Sequence, residues 1–172
     1  MATEEFGYEI KNRVANSKLK TFDLETLYPK EPTFQLDIKD WLLEELVLQE
    51  NKFREHAKAH DWSKYKDANL CLHCSSEAII PAWAYMLLTT YASEFTKLTI
   101  LGTLDTLNTL LFNEAISTLD VSSYKDAPVI VKGCSNKPVP QNAYVLLIQK
   151  LQPVVKSLMF GEACSSVPLY KK

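Results

Sequence analysis

The stretch "FREHAKAHDWSKYKDANLCLHCSSEAIIP" (residues 53–81) comes back as "FNEAISTLDVSSYKDAPVIVKGCSNKPVP" (112–140), and this return decides the fold. At an offset of 59, Phe53, Glu55, Asp61, Ser63 and the whole "YKDA" coincide with Phe112, Glu114, Asp120, Ser122 and its second copy. One inserted residue then sets Cys74-Ser75 against Cys134-Ser135. A compensating deletion restores the offset, so that "PAWAYMLL" (81–88) meets "PQNAYVLL" (140–147), Lys97 meets Lys156 and Gly102 meets Gly161. A fixed period broken only by compensating loop changes is the mark of an internal duplication, here of about 50 residues (53–102 and 112–161). Coincidence among common helix and strand residues is the competing explanation.

Each copy reads alike. A short amphipathic helix (53–60; 112–119) ends at an Asp turn, followed by the apolar runs "NLCLH" (69–73) and "VIVKG" (129–133). A serine-containing loop leads to a longer helix (about 80–95; 140–155) with Pro81 or Pro140 in its first turn, where a missing N–H costs nothing. The strands "LTILG" (98–102) and "SLMFG" (157–161) close the copies. Strands alternating with crossover helices predict the α/β class, with one mostly parallel sheet under covering helices. Outside the repeat, "EFGYEIKNRVA" (5–15) predicts a helix. "TFQLDI" (33–38) and "ELVLQE" (45–50) predict a hairpin-like strand pair around "KDWLL". The expected layout is a single domain over 1–172, with an N-terminal extension (1–50) and a C-terminal tail (162–172).

Composition bounds the function. With 172 residues, 47% apolar and four glycines, the chain is long enough to bury most of its unfolded surface. Its 19 basic and 21 acidic residues are interspersed, which argues against nucleic acid or an anionic membrane as partner. The first residues, "MATEEFGYEIKNRVANSK", hold no apolar core of signal-peptide type. The run "AIIPAWAYMLL" (78–88) is too short to span a bilayer. A cytoplasmic location is expected, where Cys71, Cys74, Cys134 and Cys164 stay reduced.

In a parallel sheet the carboxyl ends of the strands share one edge with helix N-termini, and sites gather there. Cys74, Cys134 and Cys164 each follow a predicted strand, in the related loops "CSSEAIIP", "CSNKPVP" and "CSSVP". If neighbouring strand ends lie about 4.8 Å apart, these thiols can converge. The expectation is a metal-binding protein with a three-thiolate site for zinc or an iron–sulfur cluster, its fourth ligand Asp105, Glu162 or His73. Two alternatives stand beside it. One is a thiol enzyme or sulfur carrier with Cys134 as nucleophile, flanked by Lys132 and Lys137; the other is a cofactor-free interaction scaffold whose serines cap helices and whose thiols pack. Cys71, alternating with His73 in its strand, reads as a buried structural thiol. "HAKAH" sets His56 and His60 at i and i+4, but without the glutamate of a zinc helix it reads as an ordinary helix face. Absence of GxGxxG, GxxxxGK[ST] and GxSxG weakens nucleotide and serine-hydrolase readings.

The blocks "NRVANSKL", "DIKDWL", "FREHAKAHDWSKY", "AIIPAWAYMLL", "KGCSNKPVPQNAYV" and "FGEACSSVPLYKK" cover nearly the whole chain. In them it resembles the bacterial domain-of-unknown-function family 2480. That resemblance implies no established activity. It does imply a setting near iron–sulfur assembly proteins of the SUF type as partners, which favours a cluster or sulfur role.

Overall fold

The computed structural model describes residues 18–133, 136–162 and 165–172. Among these, four α-helices and two strand-built sheets make a mixed α/β protein in which parallel pairing dominates. The chain divides into two compact units, a central one (Tyr28–Ala115) and a terminal one (Met1–Leu27 with Ile116–Lys172). The expected single sheet is therefore two sheets.

The central unit holds β2 (Thr33–Asp37), β3 (Asn69–His73) and β4 (Leu98–Leu101), paired parallel in that order. Helix α1 (Glu50–Ala59) connects β2 to β3, and α2 (Ala82–Ala92) connects β3 to β4. β3 is buried along its length except at His73, as a strand covered on both faces must be, and this is why "NLCLH" reads as a continuous apolar run. Helix α2 buries Ala84, Leu88 and Ala92, one stripe at intervals of four residues. Leu36, Phe53, Trp62, Tyr65, Leu70 and Leu72 complete this core.

The terminal unit is likewise built around a central parallel strand. β1 (Lys20–Phe22), β5 (Pro128–Val131) and β6 (Ser157–Glu162) are parallel, and β7 (Ser165–Lys171) adds antiparallel to β6. Helix α4 (Gln141–Leu151) joins β5 to β6 and buries Ala143, Leu147 and Leu151. The division between the units falls inside α3 (Leu104–Thr118).

Backbone landmarks sit 59 residues apart. Asp67 and Asp126 both take positive φ, 58° and 53°, which an aspartate tolerates better than most residues. Their N–H groups donate to Phe95 O and Val154 O at 2.9 and 3.0 Å. Gly102 and Gly161 have φ of 145° and 123° at the ends of β4 and β6, and a Cβ on Gly161 would stand 2.5 Å from Ser165 O. Pro81 and Pro140 are the N-cap residues of α2 and α4, one position outside the helices.

The N-terminal region differs from expectation. Residues 45–50 form no strand: Glu44 and Glu45 turn with positive φ, Leu43 bridges Val47, and Glu50 already opens α1. The first two strands do not pair with each other. β1 joins the terminal unit's sheet and β2 the central one, because each completes a parallel sheet beside a buried strand. The predicted helix over 5–15 lies outside the described residues. The C-terminal tail is largely strand β7.

Candidate functional site

At the carboxyl edge of the central sheet, Asp37 ends β2 opposite His73 at the end of β3. Asp37 Oδ1 accepts from the N–H of Lys39 and of Ser75, both at 3.1 Å, tying the loop after β3 to the strand beside it. Burial raises the Asp37 pKa, but donors from Ser75 and Lys39 and the nearby His73 outweigh it and hold the group below its ordinary value. Cys74 is half-buried, with its Sγ 3.1 Å from Ser76 Oγ. Tyr85, in the first turn of α2, is pushed up by burial and then by the nearby Cys74 and Asp37.

The terminal unit keeps the carboxylate and changes its partner. Asp23, just after β1, accepts from Glu25 N–H at 2.9 Å, the same i to i+2 turn that Asp37 makes with Lys39. Its Oδ2 pairs with Lys132 Nζ at 2.9 Å, which lowers Asp23 and raises Lys132. Asn136 N–H donates to Glu25 Oε1. Asp23 and Asp37 were missed from the sequence. Their signal, an aspartate between apolar residues in "FDL" (22–24) and "LDI" (36–38), repeats at an offset of 14 rather than 59 and so escaped the alignment.

The expected metal site is corrected by this geometry. Among the described residues no three His, Cys, Asp or Glu side chains gather in a way that could hold a metal ion, which overturns the reading as a metal-binding protein with a three-thiolate site. Its premise was one rim. Cys74 instead follows a strand of the central sheet, whereas Cys134 and Cys164 follow strands of the other sheet and themselves lie outside the described residues. Of the candidate fourth ligands, Asp105 is exposed in the first turn of α3, Glu162 ends β6, and His73 sits across from Asp37. Glu162 is one of the charges that raise Lys132.

One expectation holds, and a second holds in part, since His60 is the C-cap residue just outside α1. Cys71 is fully buried, its Sγ donating to Thr103 O at 3.6 Å, and burial pushes the thiol up. His56 and His60 belong to an aromatic cluster: the His56 ring stacks on Trp41 at 5.9 Å, and His60 lies 3.0 Å from Tyr65 Oη and 4.9 Å from the Trp62 ring. Burial, then the neighbouring Lys64, holds His60 below its ordinary value.

The terminal unit also carries an apolar groove of about 330 Å³ beside α4. Tyr144, Val145, Ile148 and Gln149 form its helical wall; Val131, Phe160 and Leu169 from β5, β6 and β7 form the sheet wall. Phe160 meets the Tyr144 ring edge-on at 5.7 Å. Because β7 extends the sheet past the strands that α4 bridges, Val145, Phe160 and Leu169 stay exposed. The central unit has a larger cavity of about 560 Å³, but Glu50 and Glu77 interrupt its apolar lining of Leu46, Val47, Ile79 and Trp83.

Fold and site together define an α/β protein of two parallel-sheet units, each with a carboxylate-tied rim, one of them bearing an apolar groove. The chain belongs to the family described as "Protein of unknown function (DUF2480)", whose model matches residues 8–172. No curated protein and no solved structure matches it. Among the described residues no helix is long and apolar enough to cross a membrane.

Proposed function

We propose that this protein is a binding protein of the cytoplasm, built by internal duplication, whose α4 groove receives apolar side chains of a partner polypeptide. The groove carries the proposal: a concave site of about 330 Å³ walled by Val131, Val145, Ile148, Phe160 and Leu169, with Gln149 as the polar member of its lining. That size and lining suit small apolar groups held by contact area. A helical segment with apolar residues at i and i+3 or i+4 fits such an open groove better than a free acyl chain, which favours a deep enclosed cavity. The duplication is supported by α2 and α4, which begin and end 59 residues apart, and by the matched φ values at Asp67 and Asp126. The cytoplasmic setting is supported by the mixed charge and by Cys71 and Cys74, which are free thiols.

The test uses the intact protein and its Val145→Glu variant, chosen because Val145 is exposed and its change spares the core. 1-Anilinonaphthalene-8-sulfonate fluorescence should rise with the wild type and lose most of that rise in the variant. Peptides selected from a random display library should carry spaced apolar residues and lose binding to the variant. Binding of laurate in place of any peptide, or peptides indifferent to Val145→Glu, would overturn the reading.

A further inference from the structure

The two sheets differ at one edge. β6 is covered by antiparallel β7 from Ser157↔Lys171 to Glu162↔Ser165. β4, which stands 59 residues before β6 in the same place beside the central strand, is the edge of its sheet and has no strand on its outer side among the described residues. The outer edge left by β7 is blunted by Pro168 and Lys171, which remove a donor and add a charge. β4 reads Leu-Thr-Ile-Leu, with no proline and no charge, the kind of edge that proteins ordinarily cover.

Side chains repeat the contrast. Val145 and Phe160 share their groove with Leu169 of β7. Met86 and Leu101 hold the corresponding places in the central unit, 59 residues earlier, and are 68% and 59% exposed. They are two walls of a groove that no added strand completes among the described residues.

We propose that β4 pairs antiparallel with β4 of a second copy, joining two three-stranded sheets into one of six strands. Antiparallel is the sense in which β7 covers β6. Identical strands paired this way are related by a two-fold axis, so the contact is self-complementary and closes at a dimer. That axis runs perpendicular to the sheet and sets a residue opposite itself. With Ile100 on the axis, Thr99 faces Leu101 of the partner subunit, and both Leu101 side chains lie on one face. The uncharged strand meets its copy without like-charge repulsion, and each copy supplies the wall that the other's Met86 and Leu101 lack.

Sedimentation velocity of the full chain, from low micromolar to near-millimolar concentration, tests this. The wild type should be a reversible dimer whose β4 amides exchange more slowly as concentration rises. Leu101→Lys should weaken it at least about tenfold with unchanged circular dichroism, while Val167→Lys on β7 should leave it intact. Should Leu101→Lys disturb folding, Met86→Lys on the exposed face of α2 gives the same reading without touching the strand. A wild type that stays monomeric throughout, or a dimer indifferent to both lysines, overturns the proposal. The outcome is separable from groove binding, since Val145→Glu leaves β4 untouched.

Discussion

Set side by side, the two units share what shapes the backbone and differ in what a ligand would meet. Asp67 and Asp126 turn the chain alike, Gly102 and Gly161 end the closing strands, and Ala84, Leu88, Ala143 and Leu147 bury the same helix faces. At the rims the chemistry parts. Asp37 faces His73 and ties down Ser75, while Asp23 holds Lys132 in an ion pair. His60, Trp62 and Trp83 in the central unit stand 59 residues before Leu119, Val121 and Asn142, so its aromatic cluster has no counterpart. The lesson is that backbone geometry tolerates few residue types at its special positions, whereas rims and exposed helix faces are free to diverge.

The largest expected break in this parallel is at the paired glycines. Gly161→Ala drives a Cβ to 2.5 Å from the backbone oxygen of Ser165, whereas Gly102→Ala meets only the Thr106 side chain at 3.1 Å. Both pay for a positive φ, about 1–3 kcal/mol. Gly161→Ala should cost the more in chemical denaturation and should loosen β7; equal losses would show that the added strand is not what tightens that site.

A second comparison concerns the rim carboxylates. Asp37→Ala removes two accepted backbone hydrogen bonds and should cost about 1–2 kcal/mol. Asp23→Asn keeps the turn to Glu25 and loses only a partly exposed ion pair, so its cost should be smaller and should shrink further in high salt. Both carboxylates are held below their ordinary value of 3.8. Their contribution is thus fully present above that pH and is lost as pH falls through their lower folded values. A denaturation midpoint insensitive to acid below that point would contradict it.

The smallest effect belongs to His60. Its folded pKa lies below the ordinary 6.5, so the folded state favours the neutral ring; the stability this gives is complete above 6.5 and declines as pH falls below it. His60→Leu, which copies the residue at position 119, should flatten stability against pH in that window. An unchanged slope would assign the acid response elsewhere.

Much of this was legible before any coordinates. The 59-residue offset located α2 and α4 within a few residues, the run 69–73 was placed correctly as a buried strand, and Cys71 was assigned to the core. Such features are local: helix periodicity, continuous apolar runs and turn aspartates are written in neighbouring residues. Strand β1 went unseen because Lys20–Phe22 is only three residues long and takes its meaning from a partner more than a hundred positions away. Assuming a single sheet produced the three-thiolate rim, and that assumption could not be checked locally.

What the chain's order of residues determined alone was therefore part of the inventory: the α/β class, strands β2 to β6, helices α2 and α4, and the aspartate turns before β3 and β5. Which strands share a sheet was decided only in three dimensions, because parallel pairing depends on long-range burial and leaves no short-range trace. The same reason governs the site. Asp23 meets Lys132, and Phe160 meets Tyr144 and Leu169, only because two sheets, rather than one, gather these strands.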